Sequence, residues 1–183
     1  MFNKKIGFIG AGKMGSSIIN GLISSGFTSK ENIFASEPNE KAAKYVSESL
    51  GIKVFLDNKE LAVNSDIIIL AVKPFMIFSV LDEIKQYLNS NKLLISIAAG
   101  ITTLSIEKTA GDIPVIRVMP NTPAMVGEGM TVISCGKFAN NDHKEDAEKI
   151  FLNVGKCIEV SENLIDVVTF ISCSGPAFSY TII

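Results

Sequence analysis

Lys5-Ile6-Gly7-Phe8-Ile9-Gly10-Ala11-Gly12-Lys13-Met14-Gly15 decides the architecture. Lys5–Ile9 is an apolar run of strand type that breaks off in glycines spaced G-x-G-x-x-G, and directly behind them Met14, Ile18, Leu22 and Ile23 recur at helical spacing. A strand, a tight turn and a helix in immediate succession form the first half of a strand–helix–strand unit, which demands a parallel strand to follow. Outward from this stretch the same alternation continues. Strands are expected at Asn32–Ser36, Lys53–Phe55, Asp66–Val72, Lys92–Ile97 and Val115–Met119, and Ile67–Leu70 and Leu93–Ile97 are apolar on both faces, as strands sandwiched between helices must be. Between them Ala43, Val46 and Leu50 line a helix behind an Asn39 cap, and Val80, Leu81, Ile84 and Leu88 line a later one. The fold class is therefore α/β, a doubly wound and mostly parallel sheet.

After Met119 the texture changes. Pro120-Asn121-Thr122-Pro123 reads as a loop at a strand's carboxyl end, its prolines excluding helix and ladder, followed by a strand Thr131–Cys135. A helix carrying Ala147, Ile150, Phe151 and Val154 leads to a last strand, Lys156–Val160. Ser172-Cys173-Ser174-Gly175-Pro176-Ala177-Phe178 then reads as a cap with proline in a first helical turn, and Pro176 to Ile183 leaves that helix eight residues. The expected organisation is one domain over 1–160, then a connection and the start of a second, helical domain over 161–183.

Composition bounds the function. The 183 residues are 47% hydrophobic and 20% charged with a net charge of −2, which places the chain among globular proteins and argues against nucleic acid or an anionic membrane as partner. A small molecule is the expected partner. The uninterrupted apolar runs fall far short of the ~20 residues that span a bilayer, and the apolar stretch near the N-terminus is cut by Gly7, Gly10 and Gly12, so no signal peptide is read. Cys135, Cys157 and Cys173 show no C-x-x-C and read as small core residues of a reduced, cytoplasmic protein. No metal-spaced cluster, charged pair or Ser/His/Asp arrangement appears, and His143 reads as a capping-region surface residue. Chemistry that belongs to a bound cofactor is consistent with so plain a set of side chains.

The glycine turn names the cofactor class. Gly10 permits the tight turn, Gly12 leaves the backbone open to a pyrophosphate, Gly15 lets helix and strand pack closely, and the helix start supplies N–H donors. Glu37 stands 22 residues beyond Gly15 at the end of the second strand, where a carboxylate accepts from a ribose 2′-hydroxyl and repels a 2′-phosphate. Two readings of Glu37 stay open: that ribose acceptor, leaning towards NADH over NADPH, or a solvated surface carboxylate, with Lys41 and Lys44 near enough to offset a phosphate. The chain's single arginine, Arg117, makes phosphate forks scarce.

Ile6 to Gly15, Ala71-Val72-Lys73-Pro74, Ser96-Ile97-Ala98-Ala99-Gly100, Arg117-Val118-Met119-Pro120-Asn121-Thr122-Pro123 and Ser172 to Ala177 together resemble pyrroline-5-carboxylate reductase over essentially the whole chain. The resemblance implies a Rossmann-type domain and NAD(P)H-dependent reduction of 1-pyrroline-5-carboxylate to L-proline, the last step of proline synthesis. It implies cofactor contacts at Ile9, Gly10, Ala11, Gly12, Lys13, Met14 and Gly15 for the pyrophosphate, at Ser36, Glu37 and Asn58 for the adenosine, and at Ala71, Val72, Lys73, Pro74, Ile97, Ala98 and Ala99 towards the nicotinamide. Asn121, Thr122, Ser174 and Gly175 are the implied substrate contacts, the last two at a helix N-terminus. The family's C-terminal helical domain, which makes the homo-oligomer and completes the substrate site, is expected to be absent, and Cys173 and Phe178 depart from the family's S-G-S-G-P-A-Y. Competing expectations are a dinucleotide-binding fragment without turnover, or a related oxidoreductase acting on another small acid or imine.

Overall fold

In the computed structural model, which describes residues 2–175, the apolar runs become β1 (Ile6–Ile9), β2 (Ile33–Ser36), β3 (Lys53–Phe55), β4 (Ile67–Leu70), β5 (Leu93–Ser96), β6 (Val115–Met119), β7 (Gly129–Cys135) and β8 (Gly155–Glu159). They form one sheet in the order β3-β2-β1-β4-β5-β6-β7-β8. The first six run parallel, β7 turns antiparallel against β6, and β8 runs parallel to β7. The chain winds outward from β1 to β3, then crosses back to β4 on the other side of β1. That reversal leaves a crevice at the carboxyl ends of β1 and β4, the place where open α/β sheets bind ligands.

The period-2 alternation of a strand builds both cores at once. On β4, Ile67 and Ile69 join Ile6, Phe8, Ile18, Leu22, Ile116 and Phe151 on one face, while Ile68 and Leu70 join Leu61, Leu81, Ile84, Ile106 and Val115 on the other. The first face is covered by α1 (Lys13–Ser24), α2 (Glu40–Leu50) and α6 (Asn141–Phe151), the second by α3 (Asn58–Asn64), α4 (Ile77–Ile84) and α5 (Thr103–Ala110). Asn39 caps α2 as expected, accepting from the Ala42 N–H, and Gly51 ends that helix in the left-handed region at φ +67°. His143 belongs to a capping box at the start of α6, where the Asn140 side chain accepts from the His143 N–H and His143 Nδ1 accepts from the Asn140 N–H.

Four expectations are corrected. α4 stops at Ile84 and a 3₁₀ turn, Lys85–Tyr87, carries the chain to Leu88. Pro120–Pro123, read as a loop free of helix, runs into a 3₁₀ turn, Thr122–Val126, whose proline sits in the first turn, where its missing N–H costs nothing. The three cysteines are half-buried free thiols rather than full core residues. Most consequentially, the terminal helix does not start around Ser174: α7 (Glu162–Thr169) begins earlier, packs Ile165 against Met119 and Val132, and runs on through a π-type turn, Phe170–Ser174, to Gly175. The helix expected over Pro176 to Ile183 lies outside the described residues.

Candidate functional site

A cleft of about 780 Å³ opens at the crevice between β1 and β4. Its floor is the glycine turn, and two geometric facts explain the glycines. Gly10 holds φ +92°, and a Cβ there would stand 3.0 Å from the Ala71 carbonyl, whereas a Cβ on Gly12 would meet nothing within 4 Å. The space over Gly12 is therefore cleft, not protein. Gly15 lies beneath, where a Cβ would come within 2.7 Å of the Gly10 carbonyl, so its role is the close approach of α1 to the strand. Among the described residues no side chain caps α1, and its first turn holds no acidic residue, which leaves the positive end of the helix turned to the cleft.

Of the pyrophosphate residues inferred from sequence, Ile9, Gly10, Gly12, Lys13 and Met14 line the cleft, while Ala11 and Gly15 are buried behind it. At the β2 end, Ser36, Glu37 and Asn58 line it together. Ser36 Oγ donates to Asn58 Oδ1 at 2.7 Å, and Asn58 Nδ2 donates to Glu83 Oε2 at 2.9 Å. Glu37 Oε1 accepts from the Asn39 N–H at 3.2 Å, a bond within its own, solvent-exposed loop. Lys41 and Lys44 are exposed on α2 and do not line the cleft, and Lys44 lies 3.9 Å from Glu48. The opposite wall is Ala71, Val72, Lys73 and Pro74 with Met76 and Val80, and the far end is Ile97, Ala98 and Ala99 with Met119 and Pro120.

Asn121 and Thr122 follow Pro120 at the mouth. Asn121 is buried with both ends of its amide committed, Oδ1 accepting from the Met130 N–H at 2.9 Å and Nδ2 donating to the Ser172 carbonyl at 3.4 Å. Thr122 is exposed at the first residue of the turn. The Cys173 thiol reaches the Pro120 carbonyl, so the 172–175 segment does fold back beside the mouth. The helix N-terminus assigned to Ser174 and Gly175 is not there: Gly175 continues a helix, and its N–H donates to the Ile171 carbonyl.

Two features were missed in the sequence. Glu83 carried no signal, since nothing local ties a helix residue to Asn58. Arg117 stands in a charged cluster with Glu162 and Asp166, whose spacing of four puts both carboxylates on one helix face; that spacing, beside a lone arginine in an apolar strand, was the readable clue. A second cleft of about 520 Å³, lined by Ser134, Cys135, Glu159, Val160, Ser161 and Glu162, includes none of the inferred site residues. Burial first, and then Glu159, pushes the Cys135 thiol up, and burial takes Cys157 up to about 12, so neither is a nucleophile near neutral pH.

The family described as NADP oxidoreductase coenzyme F420-dependent matches residues 5–100. The pyrroline-5-carboxylate reductase of Methanosarcina acetivorans is 46% identical over 184 aligned residues, which cover 100% of this chain and 68% of that protein. The chain belongs to the pyrroline-5-carboxylate reductase family. Among solved structures, a pyrroline-5-carboxylate reductase from Coxiella burnetii superposes with a TM-score of 0.94 at 36% identity, covering 99% of this chain and 68% of that one. The Plasmodium falciparum pyrroline carboxylate reductase with NADP bound gives 0.88 at 38% identity, covering 100% and 67%. The chain thus spans about two thirds of the length of the pyrroline-5-carboxylate reductases it matches. None of the helices among the described residues is long and apolar enough to cross a membrane.

Proposed function

We propose that the chain binds a reduced nicotinamide dinucleotide in the cleft between β1 and β4 and serves the reduction of 1-pyrroline-5-carboxylate to L-proline. The observation that carries this is the open space over Gly12 in front of an uncapped helix start, in a cleft that the glycine turn, Ala71–Pro74, Ile97–Ala99 and Met119–Pro120 line together. The residues present fit the group. Backbone N–H donors of the glycine turn and α1 would hold the pyrophosphate, Ser36, Glu37 and Asn58 would take the adenosine ribose, and Ala98, Ala99, Met119 and Pro120 would give the reacting ring a mostly apolar surface. When bound, the dinucleotide supplies the hydride for the C=N carbon.

On the protein's side the work is orientation. The Pro120–Thr122 loop, held by Asn121 between Met130 and Ser172, sets the mouth beside the nicotinamide end, and the Thr122 hydroxyl is the polar group it exposes there. Ser174 and Gly175 keep a place as substrate contacts through their position next to this loop, not through helix donors. Within the cofactor class, Glu37 and the absence of an arginine from the cleft favour NADH binding at least as tightly as NADPH. Free thiols fit a reducing, cytoplasmic setting, and Leu164 and Val167 on α7 with Phe170 and Ile171 in the turn after it, all exposed, favour a homo-oligomer.

The test is calorimetric titration with NADH and NADPH alongside turnover with pyrroline-5-carboxylate. Micromolar dinucleotide binding with detectable proline formation, however slow, supports the reading. Binding without turnover leaves a dinucleotide-binding module, and no binding overturns the assignment.

A further inference from the structure

The hydrogen bonds at the adenosine end of the cleft run in one direction, and the direction is set by a residue that does not line the cleft. We propose that Glu83 is a specificity-determining positioning residue: acting through Asn58, it fixes which hydrogen-bonding face Ser36 turns to the cofactor's ribose, and so biases the site towards a 2′-hydroxyl over a 2′-phosphate. This rests on the dinucleotide reading above.

The polarity follows from what each group can do. A carboxylate accepts and never donates, so Glu83 Oε2, 2.9 Å from the Asn58 amide, requires the Nδ2 end of that amide to face it. The carbonyl end then faces Ser36 at 2.7 Å. An amide oxygen also only accepts, so the Ser36 hydroxyl must spend its single proton on Asn58. Ser36 is 1% exposed, and what it has left for a ligand is lone pairs. Glu37 beside it is an acceptor as well. A ribose 2′-hydroxyl, which brings its own proton, satisfies the Ser36 and Glu37 acceptors; a 2′-phosphate meets lone pairs and a carboxylate there, with the second Nδ2–H of Asn58 the one side-chain donor of the trio. Asn58 is the first residue of α3, whose start is fixed by Asp57 accepting from the Lys59 N–H, so the amide has little freedom to move away as a whole. Rotation about its last bond is the freedom it has, and Glu83 removes it.

Replacing the carboxylate releases the relay. With Glu83→Gln the Asn58 amide is free to turn over, Nδ2 then donates to Ser36 Oγ, and the Ser36 proton becomes available to an incoming phosphate.

The measurement is the pair of dissociation constants for NADH and NADPH, by titration at one ionic strength, for wild type, Glu83→Gln, Ser36→Ala and the double variant. Glu83→Gln should shift the ratio towards NADPH by about three- to tenfold, the worth of one neutral hydrogen bond gained or lost. Glu83→Met, which removes the acceptor without offering a donor, should shift it the same way and guards against a fault peculiar to glutamine. In the Ser36→Ala background the Glu83→Gln shift should disappear, because the relay has lost its outlet. A through-space charge effect would instead persist there, and that persistence overturns the proposal, as does a ratio within twofold of wild type in both Glu83 variants. Asp82→Asn, on the same helix but paired with Lys85, should leave the ratio alone. Failure of the wild-type chain to bind either dinucleotide would remove the reading on which the proposal stands, an outcome distinct from binding with an unmoved ratio.

Discussion

Arg117 on β6 and Asp166 on α7 stand 49 residues apart in the chain and 2.5 Å apart in space. Arg117 is 1% exposed, Glu162 lies 3.7 Å from its other amino group, and its Nε finds no partner among the described residues. Glu162 in turn accepts from the Thr103 N–H and hydroxyl at 2.7 and 2.9 Å. One helix face is thereby tied to the start of α5 and to the middle of the sheet.

A buried guanidinium stripped of its counter-charges is costly, so Glu162→Ala combined with Asp166→Ala should destabilise the chain by about 3–5 kcal/mol in urea unfolding. Asp166→Ala alone should cost about 1 kcal/mol, since that carboxylate is 70% exposed and Glu162 stays. Arg117→Met, which keeps the apolar stem and removes the charge, should cost less than the double variant. Arg117→Met as the most damaging of the three would show that the arginine is held by packing rather than by its carboxylates.

The glycine turn separates binding from folding. Gly12→Val adds its branch to open cleft at an ordinary φ of −68°, so the variant should fold with a melting temperature near wild type and lose dinucleotide binding. Gly15→Ala puts its methyl 2.7 Å from the Gly10 carbonyl, a backbone atom that cannot swing aside, and should destabilise the fold itself. Thermal melts and calorimetry on the same preparations decide it. A folded Gly12→Val chain with unchanged affinity would take the turn out of the cofactor site.

How much of this was readable before the structure depends on range. β4 was legible because each of its residues is apolar, and a strand buried on both faces has no other composition. The cleft was legible because a glycine spacing encodes a turn geometry within seven residues. Short helices such as α3 and α5, with seven and eight residues, offered too few periodic positions to register. α7 failed for a related reason: Leu164, Ile165, Val167 and Val168 are apolar on more than one face, only Ile165 is fully buried, and the S-G-P-A stretch gave a stronger local start signal than Ser161 did. The contacts of Glu83 with Asn58, and of Arg117 with Asp166, span 25 and 49 residues, so only the topology brings them together.

His143 makes the capping box pH-dependent. Burial first, and then the Lys4 charge, holds its imidazole below the usual value of 6.5, with Asp146 and Asp142 opposing. Protonation would also remove the Nδ1 lone pair that accepts from the Asn140 N–H. With the folded value depressed, the contribution to stability is complete above the unfolded value and is lost as pH falls from there through the lowered folded value. The gap in melting temperature between wild type and His143→Ala should therefore shrink between pH 7.5 and 5 on the usual imidazole scale, and Asn140→Ala should cost about 1 kcal/mol at neutral pH. A gap that widens on acidification would reverse the sign of the argument.

The 183-residue chain should bind dinucleotide well and turn over pyrroline-5-carboxylate poorly. Every cleft-lining group proposed to face the cofactor lies between Ile9 and Pro120, at strand ends or in the segments that follow them, so that half of the site is local. The substrate half is thin. Its carboxylate needs a cation or free N–H groups, yet no basic residue occurs in Pro120–Gly129 or Ser172–Gly175. The Gly175 N–H is spent within its helix, Arg117 is sealed in its own ion pairs, and the Asn121 amide is consumed at both ends. Placement of reacting groups supplies ~7–11 kcal/mol of a barrier, so a substrate held by the Thr122 hydroxyl and a loop wall should react several orders of magnitude more slowly than one that is clamped. The apolar face exposed through Val167 on α7 and Phe170 and Ile171 in the turn after it gives the complementary readout, since light scattering should show concentration-dependent association of the same chain. Steady-state oxidation of NAD(P)H with pyrroline-5-carboxylate, run beside a binding titration and beside the Methanosarcina acetivorans relative, settles the matter: a rate within about tenfold of that relative, one transition-state hydrogen bond's worth, would mean that the described residues already clamp the substrate.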